Sequence, residues 1–161
     1  MSIVKFYRHD PNAPKTTMPT HLGSNAIITK GDKLLLERRV DSGTWGLIGG
    51  GAKKYETTLE AMVREVWEEL GLRIPKDRFR KLAIYGEPGR IAAYRDGSIW
   101  QMVIVLYALE LPEDVTLRIS HESQELRWFS REELADIEII SVHSDIVEDH
   151  FIKGMNIQNN E

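Results

Sequence analysis

The sequence contains no cysteine, and this absence removes several kinds of chemistry at once. Disulfide bonds, thiolate metal sites and a cysteine nucleophile are excluded, and the composition is compatible with a reducing compartment. Long apolar runs are missing as well. No stretch approaches the roughly 20 apolar residues of a membrane span, and the opening MSIVKFYRHD has no apolar run of signal-peptide length. We therefore expect a cytoplasmic protein without a membrane partner.

An excess of positive charge is the next feature that the chain lacks. The net charge is −4 at pH 7, so no overall basic field favours a nucleic-acid partner. With 42% hydrophobic and 29% charged residues, the 161-residue chain has the composition of one folded domain with an ordinary core. An acidic protein of this kind binds anions through local cations or through a bound metal.

The pattern of prolines, glycines and apolar residues predicts the organisation of the chain. Residues 1–20 contain three prolines within 11–19 and are predicted to form an N-terminal arm or edge strand. Residues 21–153 are predicted to form a single domain, and residues 154–161 a disordered tail. The arm is also a segment that could extend the sheet of a second copy, so a homodimer is left open.

Within the domain, strands and helices are predicted to alternate. Strands are predicted at 25–29, 34–39, 79–86, 99–111 and 124–129, with a loop over 87–98. Helices are predicted at 58–70, where Thr57 and Glu60 have capping-box spacing, at 130–134 and at 144–152. This order places the chain in the α/β class, with one mixed sheet covered by helices on its faces.

The helix over 58–70 has two distinct faces. At 100° per residue, its apolar residues fall within about 100° of arc, and three glutamates fall in a second arc about 125° away. The glutamates are Glu65, Glu68 and Glu69. Like charges at this spacing destabilise a helix by a few tenths of a kcal/mol per pair, and the negative end of the helix dipole adds to that cost.

Two interpretations of the acidic face follow. A solvated acidic surface is the simpler one. Against it, no lysine or arginine lies on the same arc, because Arg64 is predicted to pair with Glu60 elsewhere on the helix. Uncompensated carboxylates favour an external cation, and oxygen ligands without cysteine or histidine favour Mg²⁺ or Mn²⁺. The five histidines of the chain show no ligand spacing.

The segment from Gly50 to Leu72 resembles the signature of the Nudix hydrolases. That signature is a glycine, five residues, a glutamate, seven residues, and then Arg-Glu-aliphatic-any-Glu-Glu-any-Gly-aliphatic. Here Gly50 and Glu56 are followed by REVWEELGL, so all nine defining positions of the 23-residue pattern are filled. The resemblance implies an α/β/α sandwich with a mixed β-sheet between helices. It also implies a metal-dependent hydrolase of nucleoside triphosphates or of nucleoside diphosphates linked to another group.

The resemblance also implies roles for individual residues. The metal ligands, for Mg²⁺ with Mn²⁺ as a substitute, are expected to be Glu65, Glu68, Glu69 and the carbonyl of Gly49. Glu56 and Arg64 are expected to form the ion pair that holds the loop against the helix. The catalytic general base comes either from the helix, at Glu65 or Glu68, or from a later loop. In the loop we favour Glu122 over Glu125, because Glu125 lies within a predicted strand.

Two loop positions depart from the usual family pattern. Lys53 stands where an acid is common, and it is expected either to contact a substrate phosphate or to point into water. Tyr55 stands where a glycine is common, which implies that the loop does not need a conformation restricted to glycine. Neither change affects the helical glutamates, so we expect activity to be retained.

Four further residues are candidates for substrate contact. Arg38 and Arg39 precede the glycine-rich loop and could meet a phosphate, and Arg90 is a similar candidate in the segment EPGR. Trp45 either stacks on a base or covers the core. The signature leaves the substrate open among nucleoside triphosphates, nucleotide sugars such as ADP-ribose, dinucleoside polyphosphates and non-nucleotide diphosphates. The alternative function is a non-catalytic, nucleotide-sensing regulatory domain.

Overall fold

The computed structural model describes the backbone of residues 3–154 and the side chains of residues 5–154. Its strands are β1 (Ile3–Arg8), β2 (His21–Lys30), β3 (Lys33–Arg39), β4 (Trp45–Gly46), β5 (Ile48–Gly51), β6 (Arg80–Tyr85), β7 (Arg90–Tyr94), β8 (Ile99–Glu110) and β9 (Ser123–Phe129). Its α-helices are α1 (Thr58–Leu70) and α2 (Ser141–Val147), and α2 continues as a π-helix over Glu148–Ile152. Short 3₁₀ turns lie at Lys76–Arg78 and Glu133–Asp136.

The strands form a mixed, curled sheet in which β8 has the central place. β8 runs parallel to β2 along most of its length, and the other pairings between strands are antiparallel. The start of β8 pairs with β7, which in turn pairs with β1, whereas the later part of β8 pairs with β6. On its other side, β2 pairs with β3 and β5, and β3 pairs with β4 and β9.

Each face of the sheet carries its own apolar core because side chains alternate along the strands. One core packs α1 on the sheet, and its members include Ala26, Ile28, Leu35, Met62, Val66, Val105 and Tyr107. The opposite core packs α2 and its extension, and its members include Ile27, Leu34, Leu36, Leu106, Ile146 and Phe151. Helix–sheet–helix layering is the predicted α/β/α sandwich, which the structure confirms.

Helix α1 spans the predicted residues and has the predicted ends. The Thr57 side chain accepts the Glu60 N–H at 3.0 Å, and the Glu60 carboxylate accepts the Thr57 N–H at 3.1 Å. Gly71 ends the helix at φ 72°, a left-handed conformation that glycine adopts without strain. Because the Glu60 carboxylate caps the helix, the predicted pair between Glu60 and Arg64 is wrong.

Other predictions differ from the structure in detail. The predicted loop over 87–98 contains strand β7, which forms a hairpin with β8. The predicted helix at 130–134 is a 3₁₀ turn at Glu133–Asp136, and the last helix begins at Ser141 instead of residue 144. Strand β1 lies at one end of the strand order, within the predicted arm. Apart from Gly154, which extends the last helix, the predicted tail lies outside the described residues.

No helix within residues 3–154 is both long enough and apolar enough to cross a bilayer.

Candidate active site

The glycine-rich strand β5 brings helix α1 close to the sheet. At Gly49, φ is +145° and a Cβ atom would lie 2.1 Å from the carbonyl oxygen of Ser24, so the position requires glycine. At Gly50, a Cβ atom would lie 2.6 Å from Oε1 of Glu65. The strand backbone therefore lies directly against the acidic face of α1.

A cleft of about 310 Å³ opens between β5, α1 and the sheet. Four acids line it: Glu37 of β3, Glu65 and Glu69 of α1, and Glu122 of the loop before β9. Rings carried by the sheet also line it: Phe6 of β1, His21 of β2, Tyr94 of β7 and Trp100 of β8. The centroid of the His21 ring lies 5.9 Å from that of Trp100, in an edge-on contact, and 6.4 Å from that of Tyr94. The cleft thus combines a carboxylate cluster with an aromatic wall.

Arg64 joins the loop before α1 to the helix. Its guanidinium donates to the Glu56 carboxylate at 2.8 and 2.9 Å and to the Gly51 carbonyl at 3.0 Å. These hydrogen bonds lower the pKa of Glu56 to about 2. Nη1 also contacts Glu65 at 2.9 Å and Glu68 at 3.1 Å. The prediction that no cation reaches the acidic face is therefore wrong, because the long arginine side chain extends to the neighbouring arc.

Glu69 is the most enclosed of the helical acids. Its side chain is 4% exposed, and it accepts the Gly49 N–H at 3.3 Å. Burial raises the pKa of Glu69 well above its usual range, and the nearby Glu37 and Glu65 carboxylates raise it further. Burial also raises the pKa of Glu65. Ionising this cluster is costly because like charges share a space of low polarity.

Glu37 is a member of the cluster that sequence reasoning missed. It is 3% exposed, and it accepts a hydrogen bond from Ser123 Oγ at 2.6 Å. Burial raises the pKa of Glu37 to about 7, although Ser123 and Arg39 oppose that shift. One signal was present in the sequence. Residues alternate along a strand, so Glu37 shares the inward face of Leu35.

The oxygen donors at the cleft fit a divalent cation by their chemistry. Four acids line the cleft, but among the described residues no three acidic or histidine side chains stand in an arrangement that could already hold a metal ion. Nη1 of Arg64 contacts both Glu65 and Glu68, so these two carboxylates already have a cationic partner. Glu69 is buried and receives no lysine or arginine hydrogen bond within the described part of the chain. The chemistry of the donors, all oxygen atoms on or beside one cleft, fits Mg²⁺ or Mn²⁺.

The predicted substrate contacts Arg38, Arg39 and Lys53 differ in whether they line the cleft. Arg39 lines it, and its guanidinium is held by Asp41 through two hydrogen bonds of 2.9 Å. Arg38 is exposed, and its side chain donates to the Gly43 carbonyl at 3.0 Å. Lys53 is exposed on the loop before α1, and neither Arg38 nor Lys53 lines the cleft. The helical Glu68 is half-exposed and also lies outside the lining.

Trp45 and Arg90 lie in the interior, where neither can contact a substrate. Trp45 is 8% exposed and packs edge-on against Phe129 with ring centroids 4.9 Å apart, so it covers the core. The Arg90 side chain is fully buried, and its guanidinium bonds to Asp145, Glu87 and the Val142 carbonyl. Neither residue lines the cleft, and the predicted substrate contacts of Trp45 and Arg90 are not formed there.

Glu122 and Glu125 of the loop and strand β9, and Tyr55 before α1, are the remaining predicted positions. Glu122 lines the cleft, whereas Glu125 pairs with Arg127 outside it. Tyr55 is exposed, with φ 69°, in the left-handed region. The expectation that the backbone has an ordinary conformation at this position is therefore wrong, because the left-handed region favours glycine. The loop keeps that conformation, and Tyr55 carries its strain.

Two buried polar residues that the sequence did not indicate also line the cleft. Asn25 donates to the Leu47 and Ile48 carbonyls at 3.4 and 3.3 Å. Nδ1 of His143 accepts the Leu47 N–H at 3.1 Å, which leaves the proton of the neutral ring on Nε2. Burial lowers the pKa of His143 to about 3. The contact joins residues 96 positions apart, so no local pattern announces it.

Known proteins share both the sequence pattern and the fold. The NUDIX domain family model matches residues 19–150. The chain is 33% identical to nucleoside triphosphatase NudI of Enterobacter sp. (strain 638) over 110 residues, which cover 66% of this chain and 76% of that protein.

Two solved structures share the fold at lower identity. The NUDIX domain of Shewanella oneidensis NrtR, complexed with ADP ribose, aligns with a TM-score of 0.64 at 20% identity over 87% of this chain and 90% of that one. The second is a bifunctional NMN adenylyltransferase/ADP ribose pyrophosphatase of Francisella tularensis, complexed with AMP and a Mn ion. It aligns with a TM-score of 0.68 at 16% identity over 88% of this chain, which spans 43% of that protein.

The family match covers the acidic helix, the glycine-rich strand and all strands of the sheet after β1. The chain belongs to the Nudix family and is a Nudix pyrophosphohydrolase.

Proposed function

We propose that this enzyme hydrolyses the phosphoanhydride bond of a nucleotide, either a nucleoside triphosphate or a nucleoside diphosphate linked to another group. One observation carries the proposal: a single cleft combines four carboxylates with an aromatic wall. Carboxylates suit the cations that accompany a diphosphate, and aromatic rings suit the planar face of a base. A non-nucleotide diphosphate would make no use of the wall.

The relatives support a nucleotide substrate without deciding which one. The relative from Enterobacter is named as a nucleoside triphosphatase, and the two solved structures contain ADP ribose or AMP. We propose Mg²⁺ as the physiological cation and Mn²⁺ as a substitute, since a Mn ion is present in the Francisella structure. A cytoplasmic location, a homodimer and the absence of a nucleic-acid partner stay predictions from the sequence.

Glu65, Glu68, Glu69 and the Gly49 carbonyl would hold the cation. When bound, it would neutralise the charge of the diphosphate and lower the pKa of a coordinated water. The repulsion within the acidic cluster would then become attraction to a common cation. Arg64 would keep the loop and helix at a fixed distance, because it bonds to Glu56, Gly51 and the first two helical acids.

Other side chains of the cleft would accept the proton, bind the phosphate and orient the nucleoside. Glu122 would accept the proton of the attacking water at its carboxylate, since it is the loop acid that lines the cleft. Arg39 would bind a phosphate oxygen, because Asp41 holds its guanidinium at the cleft. The aromatic wall would orient the nucleoside. The walls of the cleft would also limit the approach of bulk water.

The experiment is a substrate screen with identification of the products. The purified protein is incubated with Mg²⁺ and a panel of nucleoside triphosphates, ADP-ribose, nucleotide sugars and dinucleoside polyphosphates. Pyrophosphate, phosphate and the nucleotide products are then resolved separately. The proposal expects turnover of at least one member, with cleavage at a phosphoanhydride bond. Tight binding of a nucleotide without turnover of any member would overturn it in favour of a regulatory sensor.

A further inference from the structure

The antiparallel pairing of β3 with β9 is interrupted at the edge of the cleft. Five consecutive pairs run from Leu34 with Phe129 to Arg38 with Glu125, and the next pair joins Arg39 to Ser123. Gln124 is therefore an extra residue on β9, a β-bulge. Bulges are enriched beside active sites, where they change the direction of a side chain.

The bulge decides which side chain of β9 faces the cleft. In an uninterrupted ladder, Gln124 would lie opposite Arg39. With the bulge, Ser123 takes that place and is 7% exposed, whereas Gln124 is exposed. Ser123 Oγ donates to Oε2 of Glu37 at 2.6 Å, across 86 residues of sequence.

Backbone hydrogen bonds beside the bulge hold Glu122, the residue before Ser123. The Glu122 carbonyl accepts the Val40 N–H at 3.2 Å, and the Glu122 N–H donates to Ser120 Oγ at 3.3 Å. The Ser123 N–H closes the turn on the Ser120 carbonyl at 3.3 Å. The backbone of Glu122 is thus held on both sides, and its side chain lines the cleft.

Burial of Glu37 makes poor sense as a stabilising device. A carboxyl at this inward position costs desolvation, and an apolar side chain of similar volume would stabilise a strand at least as well. The five pairs that precede the bulge already fix the register of β9. The hydrogen bond to Ser123 instead fixes the end of β9 that follows Glu122, the loop acid that lines the cleft.

We propose that Ser123 and Glu37 are positioning residues, which act through their hydrogen bond to fix the Glu122 carboxylate at the reacting centre. The inference rests on the proposed function, in which Glu122 accepts the proton of the attacking water. Neither Ser123 nor Glu37 needs to touch the substrate for this role.

A double-mutant cycle tests the inference, with Glu122→Gln and Ser123→Ala made singly and together. If Ser123 acts through Glu122, Ser123→Ala lowers kcat about tenfold in the wild-type background with little change in KM. In the Glu122→Gln background, the same change lowers kcat less than about twofold, because the residue that it positions is gone. A residue that only stabilises the fold would give equal losses in both backgrounds.

Tyr107→Phe is the matched control. It also removes one enclosed hydroxyl hydrogen bond, the 2.9 Å contact to Thr58 Oγ1, but neither residue lines the cleft. Thermal unfolding of every variant confirms that it is folded. We expect Tyr107→Phe to retain wild-type kcat.

The possible outcomes separate the two levels of proposal. Equal losses from Ser123→Ala in both backgrounds, or no loss in the wild-type background, would overturn the positioning role while the hydrolase stands. If Glu122→Gln alone retains wild-type kcat, both the positioning role and the assignment of Glu122 fall. A wild-type protein that hydrolyses no nucleotide would overturn the proposed function itself.

Discussion

Two buried carboxyl groups, Glu37 and Glu69, set the electrostatic character of the cleft. Each is less than 5% exposed, and burial is the largest cause of the raised pKa of both groups. A folded state that leaves two acids in this position loses stability compared with one that fills the space with apolar groups. The loss is typical of a functional site, where a cation or a substrate later compensates for it.

Glu37→Gln is predicted to change stability in a pH-dependent way. The pKa of Glu37 is about 7 in the folded protein, above its ordinary value of 4.5, so its contribution to stability is lost as the pH rises through this interval. Glutamine resembles the protonated acid. We expect equal stability near pH 4 and a gain of about 1–3 kcal/mol for the variant at pH 8. Urea unfolding with a chelator present measures it, and a difference that is constant with pH would contradict it.

Tyr55→Gly is predicted to stabilise the loop before α1, whereas Tyr55→Ala is not. The left-handed φ of 69° costs a residue with a Cβ atom about 1–2 kcal/mol, and glycine avoids this cost. Glycine loses about 0.4–1 kcal/mol through its freer unfolded state. We therefore expect the glycine variant to exceed the alanine variant by about 0.5–1 kcal/mol in urea unfolding. Equal stabilities would show that the loop relaxes when the ring is removed.

Contacts between neighbouring elements determine where the acids point. Strand β5 has no side chains beyond Ile48, and this allows Glu65 of α1 to approach the strand backbone. Arg64 then spans the loop, the strand and the helix with contacts to Glu56, Gly51, Glu65 and Glu68. The spacing of the acids is thus a property of three elements rather than of the helix alone.

Arg64→Lys is predicted to loosen this connection. A lysine keeps the charge but cannot replace the planar fork that bonds to Glu56 and to the Gly51 carbonyl together. We expect a loss of about 1–3 kcal/mol in the free energy of unfolding. Arg73→Lys is the control, since it makes the same change at an exposed arginine. The Cζ atom of Arg73 lies 4.1 Å from the centroid of the Trp67 ring. A loss for Arg64→Lys no larger than that of the control would contradict the prediction.

Across the protein as a whole, the cleft forms where distant parts of the chain meet. Its acids come from α1, β3 and the loop before β9, and the rings of its aromatic wall come from β1, β2, β7 and β8. The curl of the sheet brings these elements together, because β8 pairs with β7 at its start and with β6 farther along. The cleft therefore brings carboxylates and flat rings from separate elements into one space.

Trp100→Ala is predicted to weaken nucleotide binding more than turnover. Stacking of a base on an aromatic ring contributes about 1–3 kcal/mol, so we expect KM to rise about tenfold while kcat stays within about threefold. Steady-state kinetics with the best substrate of the screen measures both. Trp67→Ala removes an indole outside the cleft and is the matched control. An unchanged KM for Trp100→Ala would exclude the wall as a base-binding surface.

The part of the site that could be predicted is the part encoded by local spacing. The i, i+3 and i+4 separations put Glu65, Glu68 and Glu69 on one side of α1, and the capping pattern placed both ends of the helix. The hydrogen bonds of Glu37 and His143 are not encoded locally, because their partners lie 86 and 96 residues away. Contacts of that separation depend on how strands pair, which single-sequence patterns do not specify.

The contacts of Arg64 and the existence of strand β7 both lie beyond local sequence patterns. A helical wheel places Arg64 away from the acids, because it records the Cα direction and ignores the reach of a long side chain. Strand β7 has a weak local signal, because it is only five residues long and follows Pro88 and Gly89. Its pairing with β1 and β8 stabilises it as a strand, and no local preference does so.

The dependence of hydrolysis on Mg²⁺ tests the central claim most directly. Initial rates are measured against Mg²⁺ concentration for wild type, Glu69→Gln and the control Glu125→Gln, whose carboxylate pairs with Arg127 outside the cleft. We predict no turnover in EDTA, saturable activation of wild type and the control, and a rate for Glu69→Gln about 100-fold lower at saturating Mg²⁺. A wild-type rate that EDTA leaves unchanged, or a Glu69→Gln rate within threefold of wild type, would contradict the assignment of this cleft as a cation-dependent hydrolase site.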